Sequence, residues 1–87
     1  MHNKKYRLKS IATDNMTDLH KNILGKVCYI AYFKVGERGW FFCDTDETQP
    51  LHRIHTSCVK DVKYTRDNQV VVSTENTLYV FEVILDE

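Results

Sequence analysis

Residues 26–43 read Lys26-Val27-Cys28-Tyr29-Ile30-Ala31-Tyr32-Phe33-Lys34-Val35-Gly36-Glu37-Arg38-Gly39-Trp40-Phe41-Phe42-Cys43. This stretch decides the fold. Two runs rich in aromatic and β-branched residues flank a turn with two glycines, which is the pattern of a β-hairpin. The first run is apolar on both faces, with Val27, Tyr29, Ala31 and Phe33 on one side and Cys28, Ile30 and Tyr32 on the other. Such a strand is covered on both sides, or sits in a small closed barrel with a partner against its outer face. The turn is placed at Gly36-Glu37-Arg38-Gly39 and the returning strand at Trp40 to Cys43.

Toward the C-terminus an acidic loop, Asp44 to Pro50, leads into a less regular segment at 51–64. There Ile54 and Thr56 share parity with Val62 and Tyr64 while Val59 falls out of phase. A turn or bulge around Thr56-Ser57 restores the register. Arg66-Asp67-Asn68 turns the chain into Val70-Val71-Val72. Thr74-Glu75-Asn76-Thr77 turns it again, with Asn76 the residue suited to positive φ. In the last run, 77–85, Tyr79, Phe81, Val83 and Leu85 share one face and Leu78, Val80 and Ile84 the other.

Toward the N-terminus, residues 3–11 alternate loosely around Tyr6 and Leu8, as an edge strand or an arm. A short helix follows, with Thr13 or Asp14 as cap, Met16, Leu19 and Ile23 at helical spacing, and Gly25 to end it. The expectation is one domain over 1–87, with arm and helix in 1–25 and the sheet in 26–85. Its class is mainly β (a small α+β fold): a five-stranded antiparallel bent sheet or SH3-like barrel with a short N-terminal helix.

Thr56-Ser57-Cys58-Val59-Lys60-Asp61-Val62 followed by Thr74-Glu75-Asn76-Thr77-Leu78-Tyr79 forms the pattern T-S-x-V-x-x-V … T-x-N-[ST]-x-Y. In this the chain resembles short uncharacterised all-β proteins of phages, mobile elements and Gram-positive bacteria. The resemblance spans roughly residues 25–84 and rests on turn and strand chemistry, so it speaks to fold and not to activity. It implies a genomic setting in which small inhibitors of host defence or of host enzymes are a recurrent role.

Eighty-seven residues bound the chain to one small core,. Twelve basic and twelve acidic residues cancel, which weighs against a dedicated nucleic-acid binder, since neutralised phosphates supply most of that affinity. The distribution is less even: Lys4, Lys5, Arg7 and Lys9 form a basic head, Asp44, Asp46 and Glu47 an acidic loop, and Asp86-Glu87 an acidic end. Three cysteines, Cys28, Cys43 and Cys58, together with a polar first segment, read as free thiols in a reducing cytoplasm,. No apolar run is long enough for a membrane helix.

The residues that could carry chemistry are few. Cys43, His52, His55 and Cys58 are the clustered soft ligands, but C-x8-H-x2-H-x2-C is not a familiar zinc spacing, and buried cysteines with exposed histidines explain it as well,. No cofactor is expected. Ser57 and Cys58 near His55 have the composition of a nucleophile and base, yet neighbours on a strand point apart, so no enzyme activity is expected. The hairpin offers a different reading. Phe33, Lys34, Glu37, Arg38, Trp40 and Phe41 group aromatics with charge as a protein interface does, against the plainer reading that Trp40 and Phe42 fill the core. The alternative is nucleic-acid binding through Lys4, Lys5, Arg7 and Lys9 with the hairpin. Exposed edges at Val70–Val72 or 77–85 would pair with a second copy unless barrel closure covers them.

Overall fold

The computed structural model describes residues 5–44 and 52–84. Lys4, Asp46, Glu47, Pro50, Leu85, Asp86, Glu87 and the side chain of His52 lie outside the described set. The elements in order are β1 (Lys5–Thr13), α1 (Asp18–Ile23), β2 (Val27–Tyr32), β3 (Arg38–Cys43), β4 (His52–Tyr64), β5 (Gln69–Thr74) and β6 (Thr77–Ile84). All strand pairings are antiparallel, and β6 returns to pair with β1. The sheet therefore closes into a barrel in plain chain order.

The mainly β, barrel-like reading holds, with six strands among the described residues where five were expected. The arm at 5–13 is a full strand that fills the gap between β2 and β6. The same closure covers the two runs whose edges the sequence left open. Val70–Val72 lies in β5, paired on both sides by β4 and β6, and β6 is paired on both sides by β5 and β1.

Bulges bend so small a sheet into a ring, because an extra residue in one strand kinks it and increases its twist. Each of four ladders carries one. Lys9 is the extra residue in β1 against β6, Ala31 in β2 against β3, and Lys60 in β4 against β5. In the fourth, Thr56 and Ser57 of β4 together face the single residue Gly39 of β3. Lys9, Ala31 and Lys60 are all exposed, so the surplus backbone is pushed outward.

The Thr56-Ser57 bulge is satisfied by side chains where the ladder fails. The Gly39 amide donates to Thr56 Oγ1 at 3.1 Å, and Arg38 Nε donates to the Thr56 carbonyl at 3.0 Å. Past the bulge the inward set changes phase from Ile54 and Thr56 to Val59. β4 thereby gives its first half to β3 and its second half to β5.

Inside the ring, Leu8, Cys28, Phe41, Cys43, Val59, Val72 and Phe81 are fully buried. Phe41 sits edge-on to Phe81 with centroids 5.1 Å apart and to Tyr79 at 5.6 Å. Phe33, just past β2, closes one side of this aromatic centre at 5.9 Å from Phe81. Its ring lies over Gly39, where an added Cβ would stand 2.5 Å from Phe33 Cδ1 and 2.8 Å from the Tyr32 carbonyl oxygen. Glycine is thus required at 39 for close approach, as glycine inside a strand often is. Arg38 and Gly39 belong to β3, and the turn ends sooner than the two-glycine pattern suggested.

Helix α1 is six residues long and is capped by Thr17, not by Thr13 or Asp14. Thr17 Oγ1 accepts from the His20 amide, and His20 Nδ1 accepts from the Thr17 amide, each at 3.2 Å. That reciprocal cap satisfies two amides a short helix would leave bare. Ile23 is its one buried residue; Leu19 is exposed, as is Met16 ahead of the cap. Gly25 follows at φ +84°, as expected of the residue ending the helix. In the later turns positive φ falls on Asn68 (62°), not on Asn76. Thr74 Oγ1 closes the β5–β6 turn instead, bonding the Thr77 amide at 3.1 Å and its carbonyl at 3.0 Å.

Candidate functional site: the outer wall of β2, β3 and β4

Strand alternation decides which aromatics of the hairpin reach solvent. Phe41 and Cys43 point inward, so Trp40 and Phe42 point outward. This corrects both sequence readings of the segment: Trp40 and Phe42 do not fill the core, and Phe41 is not available to a partner. The Ala31 bulge does the same for β2. Without it Tyr32 would share the inward parity of Cys28 and Ile30; with it, Tyr32 stands opposite Trp40 on the outside.

Two cross-strand rows result. Tyr32, Trp40 and His55 form one, with Tyr32 and Trp40 stacked at 4.9 Å between centroids and Trp40 and His55 tilted at 6.1 Å. Tyr29, Phe42 and Arg53 form the other, with the Arg53 guanidinium 5.7 Å from the centre of the Phe42 ring. Each such pair contributes roughly 0.2–1 kcal/mol. Stacking fixes the rings but does not bury them: Tyr29, Tyr32, Trp40 and Phe42 stay half-exposed and Arg53 and His55 exposed. Tyr29, Tyr32, Phe42, Arg53 and His55 were not legible as a site from spacing, because they assemble only across three strands.

The charged tip of the hairpin is engaged with itself. Lys34 Nζ lies 3.5 Å from Glu37, and Tyr32 Oη donates to Glu37 Oε1 at 2.9 Å. That hydrogen bond, first among its causes, raises the Tyr32 phenol above its ordinary value. Arg38 is held by the Thr56 carbonyl. Phe33 packs inward on Phe41 and Phe81. Of the six residues proposed from sequence, Trp40 lies at the heart of the outer wall, with Lys34, Glu37 and Arg38 on its rim.

The other candidate groups are dispersed. Cys43 faces the interior, where its sulfur lies 2.7 Å from that of Cys28, while His55 points outward against Trp40. Cys58 is half-buried with Sγ 3.9 Å from the Val59 carbonyl oxygen. The four-residue zinc reading fails on this geometry, and among the described residues no group of three or more potential ligands gathers. Thr56 commits its hydroxyl to Gly39 and to the Ser57 carbonyl, and among the described residues no hydrogen bond joins His55 to Ser57 or Cys58. Lys5, Arg7 and Lys9 do project outward along β1. Arg7 is tied to the Gly25 carbonyl at 3.3 Å, and Lys9 approaches Glu82 at 4.0 Å.

A cavity of about 460 Å³ opens at one end of the barrel, where α1 meets the ends of β1 and β6, and is lined by Asp14, His20, His55, Glu75 and Tyr79 among others. Its threonine hydroxyls are spent on the fold: Thr13 Oγ1 donates to the Asn76 carbonyl at 3.0 Å, Thr77 Oγ1 bonds Thr13 Oγ1 at 3.4 Å, and Thr56 Oγ1 donates to the Ser57 carbonyl at 2.8 Å. No helix of the described chain is long and apolar enough to cross a membrane. No protein-family model, curated protein or solved structure matches the chain.

Proposed function

We propose that this barrel is a non-enzymatic protein-binding module whose contact surface is the outer wall of β2, β3 and β4. The observation that carries the reading is the pair of half-exposed rows, Tyr32-Trp40-His55 and Tyr29-Phe42-Arg53. Tyrosine, tryptophan and arginine are the residues that dominate binding energy at protein interfaces. Here they are held rigid by cross-strand stacking, so little side-chain freedom is lost on contact. Arg53 and His55 at one edge favour a partner with an apolar centre and an acidic rim. The likeness to phage and mobile-element proteins adds that the partner is a host enzyme or defence protein, which the module occludes.

The test is capture from a nuclease-treated bacterial lysate by the immobilised protein, read by mass spectrometry against two variants. Trp40→Ala should abolish capture of the partner with the circular dichroism spectrum unchanged, and Lys60→Ala, at the Lys60 bulge of β4, should leave it intact. A partner held equally by Trp40→Ala removes this wall from the proposal. The row Lys5, Arg7 and Lys9 supports a second reading, nucleic-acid binding along β1. It requires retention of nucleic acid that falls steeply between about 50 and 200 mM salt, and a flat response eliminates it.

A further inference from the structure

We propose that Cys28 and Cys43 are a paired redox modification site, closing to a reversible cross-strand disulfide inside the barrel wall. The ladder places them directly opposite each other on β2 and β3. The Asp44 amide donates to the Val27 carbonyl at 2.9 Å, which makes Val27 and Asp44 a hydrogen-bonded pair of that ladder. The next pair, Cys28 and Cys43, is then non-hydrogen-bonded, the kind in which opposed Cα atoms come to about 4.5 Å and side chains draw closest. That spacing lies within the roughly 4.4–6.8 Å that a disulfide spans, so the bond can form without moving either strand. Both side chains are fully buried on the inner face, and their sulfurs lie 2.7 Å apart.

The third thiol is separate. Cys58 stands opposite Arg38, at the far end of β3 from Cys43. The odd cysteine therefore does not compete for the pair, which explains how an odd count in the sequence hides an internal couple.

The co-reactant is a low-molecular-weight disulfide, R–S–S–R. One cysteine loses its proton and its sulfur attacks R–S–S–R, forming a mixed disulfide and expelling one RS⁻. The second, deprotonated in turn, attacks the protein-bound sulfur and expels the other RS⁻. The protein thiols give up two electrons and two protons, and R–S–S–R is reduced to two RSH. In the closed barrel the reaction is slow, since the hydrogen bond with Cys28 and burial both favour the protonated Cys43 thiol,. Opening at β2 supplies access. Among the described residues β1 pairs with β2 only at Tyr6–Cys28 and Arg7–Val27, so β2 beyond Cys28 is held from the β3 side alone.

The experiment uses the full chain, wild type and Cys58→Ser, incubated with oxidised glutathione at pH 8, then denatured, alkylated and digested for mass spectrometry. The expected product has lost two hydrogens, carries a peptide pair joining Cys28 to Cys43, and remains a monomer. Closing a loop of about fifteen residues should raise Tm by roughly 15 °C, reversed by dithiothreitol. Two outcomes overturn the proposal: both thiols still alkylated after oxidation in urea low enough to leave the protein mostly folded, or glutathione left on either cysteine without closure. The double variant Cys28→Ala/Cys43→Ala should lose the redox-dependent Tm shift, and its persistence would also refute the pair. The wild-type measurement stands if that variant does not fold.

Discussion

Replacing Thr56 with valine tests the idea that one hydroxyl holds the bend of β4. Valine keeps the shape and strand propensity of threonine and removes only the oxygen. At this position Thr56 and Ser57 face Gly39 alone, so the Gly39 amide has lost its ladder partner and depends on Thr56 Oγ1 at 3.1 Å. Thr56 is 2% exposed, so water does not take the place of the hydroxyl. Leaving a buried amide bare costs about 1–3 kcal/mol, and loss of the 2.8 Å bond to the Ser57 carbonyl adds about 0.5–1 kcal/mol,. The expected destabilisation is about 2–3 kcal/mol, or roughly 10–15 °C in Tm for a domain of this size. Thr56→Ser keeps the hydroxyl and loses one methyl group, at about 0.8 kcal/mol. Urea unfolding followed by circular dichroism should rank wild type above serine and serine above valine. A valine variant as stable as the serine variant would show that the bulge is held by packing and would refute the argument.

Gly39→Ala should destabilise by about 2 kcal/mol or more, because the new Cβ meets the Phe33 ring and the Tyr32 carbonyl,; pairing it with Phe33→Ala, which clears the ring, should give less than the sum of the two losses in urea titrations. Ile23→Ala should cost about 2–4 kcal/mol, since Ile23 is the only buried residue of α1, whereas Leu19→Ser, on the exposed side, should stay within about 0.5 kcal/mol,. Stability under reducing conditions should fall on the alkaline side. The Cys43 thiol is raised above its ordinary 9.0 by the hydrogen bond with Cys28 and by burial, and the Tyr79 phenol above 10.0 by burial. Groups raised in the folded state favour it fully below their unfolded values and lose that contribution as pH climbs toward the folded ones, so urea midpoints should hold to about pH 9 and drop beyond it, by up to about 1.4 kcal/mol per pH unit for each group. Midpoints flat to pH 10.5 would contradict the burial of both.

The hairpin, the meander order and the phase change near Thr56-Ser57 were legible in the sequence because strong apolar runs on either side fixed the parity that had to be reconciled. β1 was harder for the same reason inverted. Tyr6 and Leu8 share a face, but the Lys9 bulge returns Ile11 to that face out of phase, so the alternation reads as broken. At 40–42 all three residues are aromatic, and parity could not be assigned without knowing that Phe41 and Cys43 point inward. The glycine at 39 carried usable information: in a strand it marks a close approach, which would have ended the turn before Arg38. The outer rows were invisible because their members come from three strands, and the place of Tyr32 in its row depends on the bulge at Ala31.

The pairing of β1 with β6 sets an order of events for a chain made from one end. Residues 5–13 leave the ribosome before the other strands of the ring, and their longest ladder waits for residues 77–84. Until then Tyr6, Leu8 and Ile11 have a sheet on one side at most, and β5 likewise lacks its second neighbour. Such non-local closure is slow and leaves apolar strand edges uncovered while it is pending. Once made, the ring has no terminal strand from which unzipping can begin. A nascent chain that stalls before Thr77 therefore differs from the finished barrel in kind: it is an open, adhesive sheet, and the last eight-residue strand converts it to a closed one.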